Sequence, residues 1–287
     1  MIMAHKYIFI VLFLSASLSQ AAEPATTAEE SGRITVCFDI ADVVYRRTYP
    51  GVRDIYSIGL LYGRWSWKNS EYLPTQAAAT RFRQTFHTYL RERRTQSNKP
   101  QEVNQILTDE IPLLLPEDLC DWVKGKTSIK QILDDVKAQP TTLEQEIACA
   151  ILEQTLLPEK QAGMLTMQAG IRELVQSCKD IGCHIVLTGN MDKETLAVLQ
   201  ARDRALFDLF DKHIISGEHQ VAKPEPEFFN LLPQGDNVIL VEHAQQVTTV
   251  QPHAHTRNIK HIVHYYDYRR TRSPLLQVIQ KLKGPSR

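Results

Sequence analysis

The chain has 287 residues, 43% of them hydrophobic and 23% charged, an ordinary globular composition. Lysine plus arginine and aspartate plus glutamate both number 33, so the formal net charge is zero. That balance argues against nucleic acid or an anionic membrane as a general partner.

The N-terminus reads as an address. His5 and Lys6 precede the apolar run 7–14, a small polar stretch follows, and Ser19 and Ala21 stand where a signal peptidase reads. This pattern predicts a signal peptide over 1–21, cleaved between Ala21 and Ala22. Its apolar run is shorter than the roughly 20 residues that span a bilayer. Residues 22–33, rich in Ala, Thr, Glu and Pro, read as a flexible lead-in. The mature protein is expected to be exported, periplasmic or secreted, with no membrane segment left after cleavage.

Residues 34–38 form a strand that runs into Asp39, placing a carboxylate at a sheet's C-terminal edge, where open α/β folds keep their chemistry. Residues 46–74 are irregular and aromatic (Tyr49, Tyr56, Tyr62, Trp65, Trp67, Tyr72). A helix is predicted over 75–94 from the stripe Phe82, Phe86, Tyr89 and Leu90, with Arg81, Arg83, Arg91, Arg93 and Arg94 on its solvated side. Helical patterns follow at 102–107, 117–123 and 128–137. Thr141 with Glu144 makes a capping box before Leu143, Ile147, Ile151 and Leu156. No strand is predicted between Pro74 and Gln168, so 46–167 reads as an all-helical insertion.

Beyond it, strands and helices alternate. Ile171, Leu174, Val175 and Cys178 mark a helix that breaks at Gly182. Strands are expected at 183–188, 213–216, 237–242 and 260–264, with helices at 193–199 and 225–232. Ser273 and Pro274 are expected to open a last helix through Leu275, Ile279 and Leu282. With the opening strand this predicts an α/β, Rossmann-like five-stranded parallel sheet, helices on both faces, with an α-helical insertion after strand 1. The core would comprise 34–45 and 168–287.

Of the five cysteines, Cys37 fits a core position. Cys178 and Cys183 flank the Gly182 turn and are the pair placed to approach each other, and Cys120 and Cys149 complete the odd count. The histidines 253 and 255 are expected in a Pro-containing turn, and 261 and 264 have opposite parity in a strand. No zinc-type cysteine spacing accompanies them.

Four strand ends, in order, resemble the signature of the haloacid dehalogenase (HAD) superfamily. Phe38-Asp39-Ile40 followed by Val43-Val44 resembles the first motif, and Val186-Leu187-Thr188-Gly189-Asn190 the second. Lys223-Pro224-Glu225-Pro226 is similar to the third, and Val238 to Glu242 stands in place of the fourth. The resemblance implies a hydrolase of the phosphomonoesterase type with Asp39 as nucleophile and a small phosphorylated substrate. Thr188, Gly189, Asn190 and Lys223 would hold phosphate. Magnesium would be bound by Asp39, the Ala41 backbone carbonyl and Glu242, and the insertion would be the family's cap.

Two positions depart from the pattern. The phosphatases carry a second aspartate where this chain has Ala41, and a pair of aspartates where it has Glu242 and His243. General acid–base help of about 10²–10⁴-fold is thereby missing. Asp42 is one residue too far and, in an extended segment, faces the other way. Three readings follow: a hydrolase with an impaired or altered site, an inactive relative that binds a protein partner, or non-phosphatase HAD chemistry at a C–P or C–halogen bond. Phosphonoacetaldehyde hydrolases share an Ala at that position but continue Gly-Thr, as dehalogenases do after their nucleophile, where this chain has Asp42-Val43.

Overall fold

The computed structural model describes residues 33–47, 117–138, 153, 156–244 and 246–284. The signal peptide, the lead-in up to residue 32, the aromatic stretch from residue 48 onward, the helices at 75–94 and 102–107 and the capping box at Thr141 lie outside them.

The elements in chain order are β1 (Thr35–Asp39), β2 (Tyr45–Arg47), α1 (Glu117–Val123), α2 (Ile129–Lys137), α3 (Pro158–Met164), β3 (Leu165–Met167), α4 (Ile171–Asp180), β4 (His184–Gly189), α5 (Lys193–Arg202) and α6 (Arg204–Phe207). There follow β5 (Lys212–Ile215), α7 (Ser216–His219), α8 (Pro226–Asn230), β6 (Val238–His243), α9 (Val247–Thr256), β7 (His261–Tyr265) and α10 (Tyr268–Lys283). Five strands pair in the order β5-β4-β1-β6-β7, every pair parallel. The predicted sheet is thus present, and each of its strands lies within one residue of its expected span.

Strand parity builds two apolar layers. Val36 and Phe38 of β1, Ile185 and Leu187 of β4 and Ile239 and Val241 of β6 face a cluster shared with α4, α5 and α10. Cys37, Val186 and Leu240 face the opposite cluster, with Phe228 and Phe229 of α8 and Val250 and Ala254 of α9. Both layers exclude water, which is why these strands read as continuous apolar runs.

Four expectations are corrected. First, a short strand does lie before Gln168: β3 pairs antiparallel with β2, Tyr45 opposite Met167 and Arg47 opposite Leu165. The Gln168 N–H also donates to the Val44 carbonyl at 2.9 Å, so residues 44–47 and 165–168 are tied together. Second, the last helix begins at Tyr268, not at Ser273. The Asp267 carboxylate caps it through the Arg270 N–H at 2.9 Å, and Pro274 lies inside. Third, His253 and His255 lie in α9 rather than in a turn, and the ring of His253 stacks on Phe229 at 4.6 Å. Fourth, the segment after Asp39 is a turn, not an extended run: Asp42 has φ 61, a conformation that aspartate tolerates.

Cys178 and Cys183 are both free and buried. Gly182 has φ 88, and its N–H and that of Cys183 donate to the carbonyls of Lys179 and Cys178 at 2.8 and 3.1 Å. This is a Schellman end to α4, with the two cysteines as its apolar contact pair. No described helix is long and apolar enough to cross a membrane.

Candidate active site

Register assembles the site. Asp39 pairs with Thr188 across β1 and β4, and Phe38 pairs with Val241 across β1 and β6. Asp39, Thr188 and Glu242 therefore stand at one level of three adjacent strands. Each lies two residues beyond a side chain of the α8–α9 layer (Cys37, Val186, Leu240), so all three share one face. His243 has the opposite parity. Lys223 enters from the loop between α7 and α8 and completes the group.

Asp39, Thr188 and Glu242 are each 1% exposed and Lys223 is 8% exposed. The Lys223 ammonium lies 2.6 Å from Glu242 Oε1 and 3.5 Å from Asp39 Oδ1. Two carboxylates and one ammonium leave this buried group one negative charge in excess when all are ionised. Burial therefore pushes the Asp39 carboxyl well above the usual carboxylate range, helped by the charge of Glu242. Lys223 and the Ala41 N–H pull it down only in part. Burial alone would lower Lys223, but the two carboxylates outweigh it and its pKa rises. Burial also pushes the thiol of Cys37 up to about 12, which makes it an inert core residue.

Gly189 keeps this corner open. It has φ 136, and a Cβ built on it would lie 2.3 Å from Asp39 Oδ1 and 2.8 Å from Ile40 Cγ2. Thr188 donates a long hydrogen bond, 3.4 Å, to the Phe38 carbonyl. The side chain of Asn190 holds the lysine loop: Oδ1 accepts from the Lys223 N–H at 2.8 Å and Nδ2 donates to the Lys223 carbonyl at 2.9 Å. Both ends of the amide are thereby committed, and what Asn190 can offer an anion is its backbone N–H. Asparagine in a strand-end motif gives no sequence signal for such a clamp.

Asp39 Oδ1 and Glu242 Oε2 are buried without a hydrogen-bond partner. Two hard carboxylate oxygens left open in one buried corner suit magnesium, which takes one or two carboxylates and completes its shell with water and phosphate oxygens. Ala41 lies in the adjoining turn, closed by Val44 N–H to Asp39 O at 3.1 Å and Tyr45 N–H to Ile40 O at 3.0 Å. Its carbonyl is the third oxygen of the set expected from the resemblance. Among the described residues no group of three or more His, Cys, Asp or Glu side chains could hold a metal.

The fold is thus a Rossmann-like parallel sheet with an aspartate, a threonine and a glutamate on three adjacent strand ends and a lysine brought to them by a loop. The model of the haloacid dehalogenase-like hydrolase family matches residues 35–233, and the chain belongs to that family.

Among solved structures, the chain is similar to a HAD-superfamily hydrolase from Ehrlichia chaffeensis, at 15% identity over 87% of this chain and 98% of that one, with a TM-score of 0.44. It is also similar to a HAD family enzyme from Bacteroides thetaiotaomicron solved with magnesium and inorganic phosphate, at 12% identity, 82% and 95% coverage and a TM-score of 0.46. A haloacid dehalogenase-like hydrolase from Xanthomonas campestris aligns at 14% identity over 88% and 94%, with a TM-score of 0.46. No curated protein matches the sequence.

Proposed function

We propose that the chain is a hydrolase of activated phosphomonoesters, with Asp39 as nucleophile and a leaving group that departs without a protein acid. One observation carries this reading. Asp39 Oδ1 is buried and accepts no hydrogen bond, lies 3.5 Å from the Lys223 ammonium, and faces the space that Gly189 leaves open by lacking a Cβ.

The Asp39 carboxylate attacks phosphorus as the P–O bond to the leaving group breaks, and water then cleaves the resulting acyl phosphate to free phosphate and Asp39, so one difficult displacement becomes two. Lys223 holds positive charge beside the oxygens that gain charge, and Thr188 offers its hydroxyl from the neighbouring strand. Magnesium, held by Asp39, Glu242 and the Ala41 carbonyl, would screen charge on the transferring group. Ala41 supplies no proton, so alkyl phosphates, whose alkoxides leave poorly, react slowly, and aryl or acyl phosphates react best. The composition of residues 1–21 supports export, so the substrate would be met outside the cytoplasm.

A second reading, an inactive family member that binds a partner, draws on the 2.6 Å contact by which Lys223 already neutralises one oxygen of Glu242. The two separate in one assay. Residues 22–287 are incubated with an aryl phosphate, with and without magnesium, beside the Asp39→Asn variant. Magnesium-dependent turnover lost in the variant supports the hydrolase. Equal traces in both proteins refute it.

A further inference from the structure

The inserted part of the chain sends a charged side chain into the loop that carries Lys223. At the end of α1 the Val123 carbonyl has no further turn of helix to bond. It accepts instead from Ser216 Oγ, a buried core hydroxyl, at 2.9 Å, and that oxygen in turn accepts from the Met191 N–H at 2.9 Å. Gly125 then turns the chain with φ +68, so close to the core that a Cβ would lie 2.1 Å from the Gly217 carbonyl oxygen. Between these two contacts stands Lys124, whose ammonium pairs with Glu225 Oε1, the two side chains 14% and 12% exposed.

The carboxylate of Glu225 works in two directions. While Oε1 holds Lys124, Oε2 accepts from the Ala222 N–H at 2.9 Å, and the Glu225 N–H donates to the Ala222 carbonyl at 2.7 Å. Ala222 precedes Lys223, whose own N–H and carbonyl are held by Asn190. Asn190 thus holds both peptide groups that flank the lysine, and the Glu225 carboxylate, neutralised by Lys124, holds the peptide group one step before them.

We propose that Lys124 and Glu225 are positioning residues for Lys223: their ion pair latches the insertion to the lysine loop and holds the ammonium at its place between Asp39 and Glu242. The consequence for turnover rests on the hydrolase reading above; the latch itself does not. Without Lys124, the Glu225 carboxylate is left half-buried with its charge uncompensated. It gains by turning to water, and the Ala222 N–H is released.

The test uses the full mature chain and three variants, Lys124→Ala, Lys124→Arg and Glu225→Gln. Hydrogen exchange read by mass spectrometry is expected to quicken at 220–226 on the order of tenfold in Lys124→Ala and Glu225→Gln, with β1, β4 and β6 unchanged. Lys124→Arg, which keeps the charge and the reach, restores protection. Joining Lys124→Ala to Glu225→Gln adds little to either, because both remove one interaction.

With an aryl phosphate, kcat falls on the order of tenfold in Lys124→Ala while KM stays near its original value. Unchanged exchange at 220–226, or a uniform increase over the whole core, overturns the latch. A wild type without turnover refutes the hydrolase reading, and the exchange comparison still decides the latch.

Discussion

Gly189→Ala is the sharpest probe of the site, because the added methyl group has nowhere to go. Its Cβ would lie 2.3 Å from Asp39 Oδ1 and 2.8 Å from Ile40 Cγ2, where real contacts essentially never fall below 3.0 Å. Asp39 cannot swing clear, being 1% exposed with Lys223 beside it. The backbone at φ 136 adds strain for any residue with a side chain, about 1–3 kcal/mol. Overpacking contributes a further 1–3 kcal/mol or so. The sum, about 2–6 kcal/mol, corresponds to a Tm loss of roughly 4–24 °C for a body of this size. A carboxylate displaced by about 1 Å loses on the order of 10²-fold in turnover. Gly163, in α3, is the control, since a Cβ there meets nothing within 4 Å. Thermal melts and aryl phosphate hydrolysis are measured on both variants. A Gly189→Ala protein that melts and turns over like wild type refutes the reasoning.

Three further outcomes are expected. In the magnesium-free chain the Asp39 carboxyl is expected to titrate above the usual carboxylate range, because burial and the charge of Glu242 raise its pKa. Glu242→Gln removes that neighbouring charge and lowers the titration, and an unmoved carboxyl resonance in a pH titration followed by NMR would contradict the assignment. Asn190→Ala leaves the Lys223 N–H and carbonyl unpaired; urea unfolding should show a loss of about 2–4 kcal/mol. Ala41→Asp supplies the absent acid, and alkyl phosphate hydrolysis should rise relative to aryl phosphate by up to about 10²–10⁴-fold. An unchanged ratio of the two substrates would show that proton transfer does not limit the reaction.

The sheet and the lysine loop were legible because buried strands announce themselves as apolar runs and each run ended on a chemically distinctive residue. The β2–β3 ribbon was not legible. Three residues are too few to display a period, and what fixes them is the Gln168 N–H reaching Val44 across the insertion. The start of α10 was missed for another reason: Pro274 is a strong local signal for a first turn, yet the Asp267 cap opens the helix two turns earlier. Asn190 looked like an anion ligand because it follows Thr188 and Gly189, whereas its amide found Lys223, 33 residues on. Lys124 carried no signal at all, since a lysine at a helix end is ordinarily solvated. Residues whose role depends on a partner far along the chain are the ones a linear reading does not reach.

The in-register pairing of β1 with β4 and β6 has a consequence for how this site changes over generations. Exchanging one side chain for another at Asp39, Ala41 or Glu242 leaves the strand ladder and both apolar layers as they are. Deleting one residue within β6 would instead bring His243 to the level of Asp39 and turn Val241 out of its layer. The scaffold therefore resists insertions and deletions in its strands while leaving the identity of its reactive groups free to drift. A substitution at Ala41 or Glu242 would therefore alter the chemistry of the site with no rearrangement of the fold that presents it.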